Sequence, residues 1–317
     1  MIINLTHYDL DGVTCSIVLH NTIGLNQNYC IGYSKIDEYL DIIDEHCVRN
    51  FFDTIYITDL KFEEYQLAKL QEISLKHNSK FIFIDHHQYS FTPSKYKSKN
   101  LTILVNEGYS ASTLTYLYLR KFKDITIKDD LNRFLKAVNS YDLWQDDNKD
   151  FRVGFVYNEL FWDYGKEHFY SKFKESFGIR ANDKERYKKI LEKKNEAMDK
   201  IKKSGKLFSI GSNDMLLIFT DKFMNFVTLD FPDYKTYVIV NSTGRISVRL
   251  NKNLKSQEEA HKMFISKIKD IESTKTVGGH TRAFGITLKD NNPSTLVQFT
   301  KKMMYIVDEV LVSIGER

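Results

Sequence analysis

The sequence predicts an α/β fold in two parts, a mostly parallel N-terminal sheet and a smaller α/β domain, joined by a linker helix. Three observations predict it. Short β-prone runs alternate with stretches of helical periodicity through residues 1–105. A lysine-rich segment over 184–206 then breaks the rhythm, with ten basic residues, four acidic ones and no proline. Beyond it a second set of strands and helices begins.

Each element has its own signal. The β-prone runs fall at 2–6, 28–32, 54–58, 80–84 and 101–105, and Phe62, Tyr65, Leu67, Leu70 and Ile73 recur with helical spacing between the third and the fourth. Strands alternating with helices form βαβ units and hence a parallel sheet, whose chemistry gathers at the carboxyl ends of the strands. Residues 110–122 and 129–144 read as helices. Over 184–206, Tyr187, Ile190, Leu191, Ala197, Met198 and Ile201 make a narrow apolar stripe, the mark of a solvated linker helix rather than a nucleic-acid-binding arm. Strands at 207–210, 216–220, 236–241 and 245–250 and helices near 256–271 and 294–313 complete the chain. The expected boundaries are 1–183, 184–206 and 207–317.

With 317 residues, 42% hydrophobic and 28% charged, the chain can bury a core, which excludes a mostly disordered protein. The longest apolar runs, such as 215–219, are far short of the roughly 20 residues of a spanning helix, so no membrane segment is expected. The start has no basic, long apolar or cleavage-site pattern, so no secretory signal is expected. Cys15, Cys30 and Cys47 form no C-x-x-C pair, which argues against a zinc ribbon or a disulfide framework and for a reducing cytoplasm. A net charge of +4 is too small for a protein that coats duplexes but allows a local basic groove.

Polar clusters sit where the predicted strands end. His7, Asp9 and Asp11 alternate along Thr6-His7-Tyr8-Asp9-Leu10-Asp11-Gly12, an arrangement expected to converge on a divalent cation. An EF-hand reading fails because the twelfth position is His20 rather than Glu. Asp59 closes the third run, and Asp85-His86-His87 closes the fourth. Asp142 lies in Tyr141-Asp142-Leu143-Trp144 at a predicted helix end. Singly, Asp59 and Asp142 read as helix-terminal residues. Jointly, carboxylates and imidazoles without thiolates suit Mn²⁺ or Mg²⁺ better than structural zinc. Two close cations need a bridging carboxylate, a part that a solitary strand-end Asp59 can fill.

These motifs, in this order, resemble the DHH phosphoesterase family. The segment Val277-Gly278-Gly279-His280-Thr281-Arg282-Ala283-Phe284-Gly285, with Ser247-Val248-Arg249 before it, resembles the signature of that family's associated C-terminal domain. The likeness spans residues 6–285. It implies two cations, Mn²⁺ first and Mg²⁺ as the alternative. His7, Asp9 and Asp59 would hold one; Asp11, Asp59, His86 and Asp142 would hold the other. Asp85 would orient a neighbouring ligand. His87 and Asp59 would serve catalysis, with His87 at the scissile phosphate and a metal-activated hydroxide attacking phosphorus. Arg249, Gly278, Gly279 and His280 would grip substrate across a cleft from the metals.

The first motif mixes the His-x-x-x-Asp-x-Asp start of branches acting on small substrates with the Asp-x-Asp-x-Asp-Gly of RecJ-type exonucleases, and so leaves the branch open. The leading expectation is a phosphodiesterase for short single-stranded oligonucleotides or a small nucleotide phosphoester, nanoRNase-like, with phosphatase action on 3′-phosphoadenosine 5′-phosphate as a further activity. The alternatives are a RecJ-like single-strand exonuclease, a cyclic-dinucleotide phosphodiesterase and, last, a non-catalytic nucleotide-binding module. The sequence leaves the oligomeric state open, a homodimer included.

Overall fold

The computed structural model describes residues 1–48, 52–122, 128–203, 207–210, 214–220, 233–251 and 253–316. The chain divides into two compact units, Met1–Lys188 and Lys189–Arg317. The last three positions of the 184–206 segment lie outside the described residues; the rest belongs to a helix over Ala181–Lys203.

In the first unit five strands, β1 (Ile2–His7), β2 (Gln27–Ile31), β3 (Thr54–Thr58), β4 (Lys80–Asp85) and β5 (Leu101–Val105), form one sheet in the order β2-β1-β3-β4-β5. Every pairing in it is parallel. The chain steps outward from β1 to β2, then returns to the other side of β1 for β3. The loops after β1 and β3 therefore diverge, opening a crevice at their carboxyl ends.

Among the described residues seven α-helices precede the long one: α1 (Leu10–Ile23), α2 (Ile36–Val48), α3 (Glu64–Lys76), α4 (Ala111–Phe122), α5 (Asp129–Asp142), α6 (Lys149–Tyr164) and α7 (Lys166–Phe173). The helix over Ala181–Lys203 is α8. One sheet face is apolar: Ile3, Leu5, Ile55, Ile57, Phe81 and Phe83 pack with Ile36, Leu40 and Ile43 of α2 and Leu67, Leu70 and Ile73 of α3. The other carries buried polar residues that satisfy one another. Asn4 Nδ2 donates to Ser16 Oγ of α1 (2.9 Å), and Thr58 Oγ1 donates to Asn4 Oδ1 (3.1 Å).

The second unit holds a six-stranded sheet in the order β10-β11-β9-β8-β7-β6, from β6 (Leu207–Ile210), β7 (Met215–Thr220), β8 (Thr236–Asn241), β9 (Arg245–Leu250), β10 (Thr274–His280) and β11 (Ala283–Leu288). Only the β7–β8 pair is parallel. Helices α9 (Gln257–Lys269) and α10 (Pro293–Ser313) cover one face through Phe264, Ile268, Phe299, Met303 and Val310. On the opposite face Met198 of α8 joins Leu216, Ile218, Tyr237 and Ile239. Strands β10 and β11 have no counterpart among the β-prone runs read from the sequence. Three glycines, Gly278, Gly279 and Gly285, lower their β propensity, and the pairing between them supplies what propensity does not. Among the described residues no helix is long and apolar enough to cross a membrane.

Candidate metal centre

The first motif converges, but not by alternation along an extended segment. The strand ends at His7, Asp9 is the N-cap of α1, and Asp11 lies in its first turn. Asp9 Oδ1 accepts from Gly12 N (2.9 Å), and Oδ2 lies 2.7 Å from His7 Nδ1. The capping preference of Asp outweighs continued extension, so the chain turns into the helix and carries Asp11 inward. A Cβ at Gly12 would sit 2.3 Å from the His7 carbonyl oxygen, so the glycine lets α1 begin against its own strand. Asp11 is buried and receives both the amide of Ser112 (3.3 Å) and its hydroxyl, at the start of α4.

Asp59 is not a helix cap: α3 starts at Glu64, with Glu63 before it. Its backbone is left-handed (φ 55°) and its amide donates to Ile84 O (3.0 Å), which turns the buried side chain at the sheet end. Such a conformation in a non-glycine residue costs about 1–2 kcal/mol and is characteristic of functional sites. Asp142 ends α5, where Trp144 is also left-handed (φ 54°) and its amide donates to Tyr141 O (3.0 Å).

His86 lies between these acids, with Nε2 3.3 Å from Asp59 Oδ1 and 3.3 Å from Asp142 Oδ2; His7 Nδ1 is 3.9 Å from Asp59 Oδ2. Two of the donor groups are His7–Asp9–Asp59 and Asp11–His86–Asp142, each with ligand atoms within 4.8 Å of one another. A third joins Asp59 to Asp85, His86 and His87. Every metal-ligating candidate read from the sequence is therefore in one place, within the first unit.

Asp85 has both oxygens engaged: Oδ1 lies 2.8 Å from His87 Nδ1, and Oδ2 accepts from Tyr89 OH (2.6 Å). Burial opposes its charge, but the His87 and His86 imidazoles and the Tyr89 hydroxyl hold its carboxyl below the ordinary range. A charged Asp85 fixes the proton of His87 on Nδ1. His87 Nε2 then accepts from Tyr33 OH (3.3 Å), and the Tyr33 ring stacks on His7 at 4.4 Å. Tyr33 was not among the sequence candidates. It follows the β2 run by one residue, a strand-end position that a search for ionisable groups passes over.

Burial, with Asp9, Asp11 and Asp142 nearby, pushes the Asp59 carboxyl well up; burial and the neighbouring acids do the same for Asp142. Among the described residues Asp59 Oδ2 and Asp142 Oδ2 are buried and accept no hydrogen bond. Buried, crowded carboxylates call for positive charge, and oxygen and imidazole donors without thiolate fit a hard or borderline divalent cation.

The second unit holds the other candidates. Arg249 on β9 is buried, and its Nη1 donates to Val248 O (3.0 Å). Tyr237, Arg249, Ala283 and His280 follow one another across four strands in register, next to the row Ile239, Ser247, Gly285 and Gly278. Val248 and Phe284 pack with the helices, so these rows occupy the opposite face. Gly278 and Gly279 lie within β10 rather than in a turn. Gly279 (φ 141°) could carry no side chain: a Cβ would meet Ala283 O and Phe284 Cα at 2.6 Å. The side chain of His280 lies outside the described residues.

No family model matches the chain. It is 24% identical over 301 residues to a 3′,5′-cyclic-nucleotide phosphodiesterase of Helicobacter pylori, covering 79% of this chain and 85% of that protein. Among solved structures it resembles the DHH domain of a member of the S1p family of ribosomal proteins (TM-score 0.60, 14% identity, 96% of this chain and 86% of that one). It also resembles a pGpG-specific phosphodiesterase from Vibrio cholerae (TM-score 0.56, 11% identity, 98% and 99%). The fold is that of the DHH proteins. The resemblance to DHH phosphoesterases thus rests on motifs and fold together.

Proposed function

We propose that the chain is a metal-dependent phosphodiesterase of DHH type acting on short nucleotide phosphodiesters, with a nanoRNase-like preference for oligonucleotides of a few residues. The observation that carries this reading is the position of Asp59 between two donor groups, 3.9 Å from His7 of one and 3.3 Å from His86 of the other. His7, Asp9 and Asp59 would hold one divalent cation, and Asp11, Asp59, His86 and Asp142 a second, with Mn²⁺ preferred. Bound there, the cations supply Lewis-acid stabilisation of phosphoryl charge and lower the pKa of water. The protein's own groups do the rest. His87, its ring oriented by Asp85, faces the scissile phosphate, and Tyr33 keeps the His7 and His87 rings in place. Arg249 and the small-residue floor of Ser247, Gly278 and Gly285, with Gly279 and His280 beside it on β10, bind the nucleotide in the second unit.

Both phosphodiesterase relatives act on small nucleotide phosphodiesters by name, which supports the substrate class. The curated one favours a second reading, hydrolysis of a 3′,5′-cyclic mononucleotide. A hydrolysis panel with Mn²⁺ tests both. It pairs a ribodinucleotide, a pentamer and a long strand with the matching DNA, cyclic di-AMP and cyclic AMP. Cleavage confined to the shortest linear RNAs is the expected result. Preference for cyclic AMP would select the second reading, equal turnover of long DNA would select an exonuclease, and silence across the panel would overturn the enzyme.

A further inference from the structure

A cavity of about 340 Å³ lies at the carboxyl end of the edge strand β2, beside the end of β1 that carries His7. Tyr8, Cys30, Lys35, Glu38, Tyr39 and Lys166 are among its lining residues, and none of them is a metal-ligating candidate. Its walls nevertheless belong to the segments that build the metal centre. Tyr8 stands between His7 and Asp9 in the chain, and Tyr33, which stacks on His7, stands between Gly32 and Lys35. A substrate whose phosphorus sits at the donor groups has this cavity as its neighbour on the β2 side.

The lining chemistry says what fits. The volume lies at the lower end for small-molecule sites, sufficient for one nucleoside and too small for a strand. The lining carries two lysines and one carboxylate, and each lysine has a carboxylate beside it. Lys35 pairs with Glu38, and Lys166 has Glu167 at 3.6 Å. Lys166 also donates to Cys30 O (3.3 Å) and lies 5.0 Å from the centroid of the Tyr8 ring. A terminal phosphate would meet two lysines already compensated by carboxylates. A nucleobase would meet two aromatic walls, Tyr8 and Tyr39, with ammonium donors and one carboxylate acceptor at its edge. That is the mixture by which apolar pockets fix a flat polar ring.

We propose that this cavity is a nucleobase subsite of the phosphodiester centre, seating the base next to the scissile phosphate and so discriminating nucleotide substrates from simple phosphodiesters. This assignment rests on the phosphodiesterase reading for its catalytic consequence, but not for binding.

The test uses the full chain and the variants Glu38→Gln and Lys166→Met, which leave the metal-ligating candidates intact. Two Mn²⁺-dependent reactions are followed: hydrolysis of a ribodinucleotide, and of bis(p-nitrophenyl) phosphate, which has no base. The expected result is a KM for the dinucleotide raised about tenfold, the equivalent of about 1.4 kcal/mol. Turnover of the base-free diester should stay within twofold of wild type, and the melting temperature should not change. Calorimetric titration with 5′-GMP, 5′-AMP and ribose 5-phosphate gives a second readout that needs no turnover. Wild type should prefer the nucleotides, and the variants should lose that preference. Equal effects on both diesters, or wild-type behaviour of both variants, would overturn the subsite. A wild-type chain inert on both diesters would overturn the phosphodiesterase instead; base-dependent binding would then uphold the subsite, and its absence would overturn that too.

Discussion

At the scale of single residues, Asp59 carries the most consequence for its size. Its left-handed backbone is a conformation that Asn tolerates at least as well as Asp and that Ala disfavours. Asp59→Asn is therefore the informative variant, since it removes charge while keeping shape and backbone preference. In metal-free protein Asp59 stands among Asp9, Asp11 and Asp142, so the neutral amide should relieve like-charge repulsion and raise the melting temperature by a few degrees. The same change should abolish the thermal shift on adding Mn²⁺ and lower phosphodiester turnover by about 10²–10³-fold, the scale of losing one preorganised electrostatic partner. A variant melting below wild type without metal, yet still shifted by Mn²⁺, would take the bridging role away from Asp59.

At the scale of elements, helix placement decides where the carboxylates point. Asp142 depends on α5, and α5 is set against α6 by Gly154. A Cβ there would lie 2.1 Å from Ala137 O and 2.6 Å from Tyr141 Cβ. Backbone atoms cannot swing away, so Gly154→Ala should separate the helices at a cost of about 3 kcal/mol, or roughly 5–10 °C in melting temperature. It should also weaken Mn²⁺ binding about tenfold through the displaced Asp142. A variant with wild-type stability and metal affinity would refute this account of how α5 is held. A second test concerns the start of α8. Buried Asp183 accepts from Arg180 N (2.9 Å) and Tyr164 OH (2.7 Å) and lies 3.1 Å from Lys172 Nζ. Burial opposes its charge, but these donors bring its carboxyl below the ordinary 3.8. A depressed carboxylate stabilises the fold fully above its unfolded pKa and loses that contribution as pH falls through the folded one. Asp183→Asn should therefore cost about 2 kcal/mol at neutral pH, and the gap from wild type in urea melts should narrow as pH falls below the ordinary 3.8. A gap independent of pH would show that the charge contributes nothing.

The same scale shows how far the sequence could be read. The five parallel strands and the lysine-rich helix were legible because buried β-branched runs and a stripe of period near 3.6 are local signals. The clustering of the candidate ligands was legible because ionisable groups at successive strand ends have few other uses. The route by which His7, Asp9 and Asp11 meet was not, since helix capping competes with extension within four residues. Nor was β10, whose glycines hide a strand held by its partner. Tyr33 and the cavity beside it were invisible for a related reason: aromatic side chains carry no spacing signature until the fold brings them to a wall.

At the scale of the whole molecule, the candidate functional residues divide between the two units. Every metal-ligating candidate lies in Met1–Lys188, whereas Arg249, Gly278 and Gly279 lie in Lys189–Arg317. Metal binding should therefore be a property of the first unit alone. At a hundredfold excess over Kd, a ligand that binds only the folded state adds about 2.7 kcal/mol. Hydrogen exchange followed with and without Mn²⁺ should show that gain as slower exchange at the carboxyl ends of β1, β3 and β4 and in the first turn of α1. Exchange in β7, β8 and β9 should be unchanged. Arg249→Met should keep the full Mn²⁺ effect in the first unit while raising KM for a dinucleotide, because it removes a proposed substrate contact and no candidate metal ligand. If Mn²⁺ slowed exchange in the second sheet to the same degree, or if Arg249→Met abolished the thermal shift, the metal centre would not be confined to the unit that holds its donors.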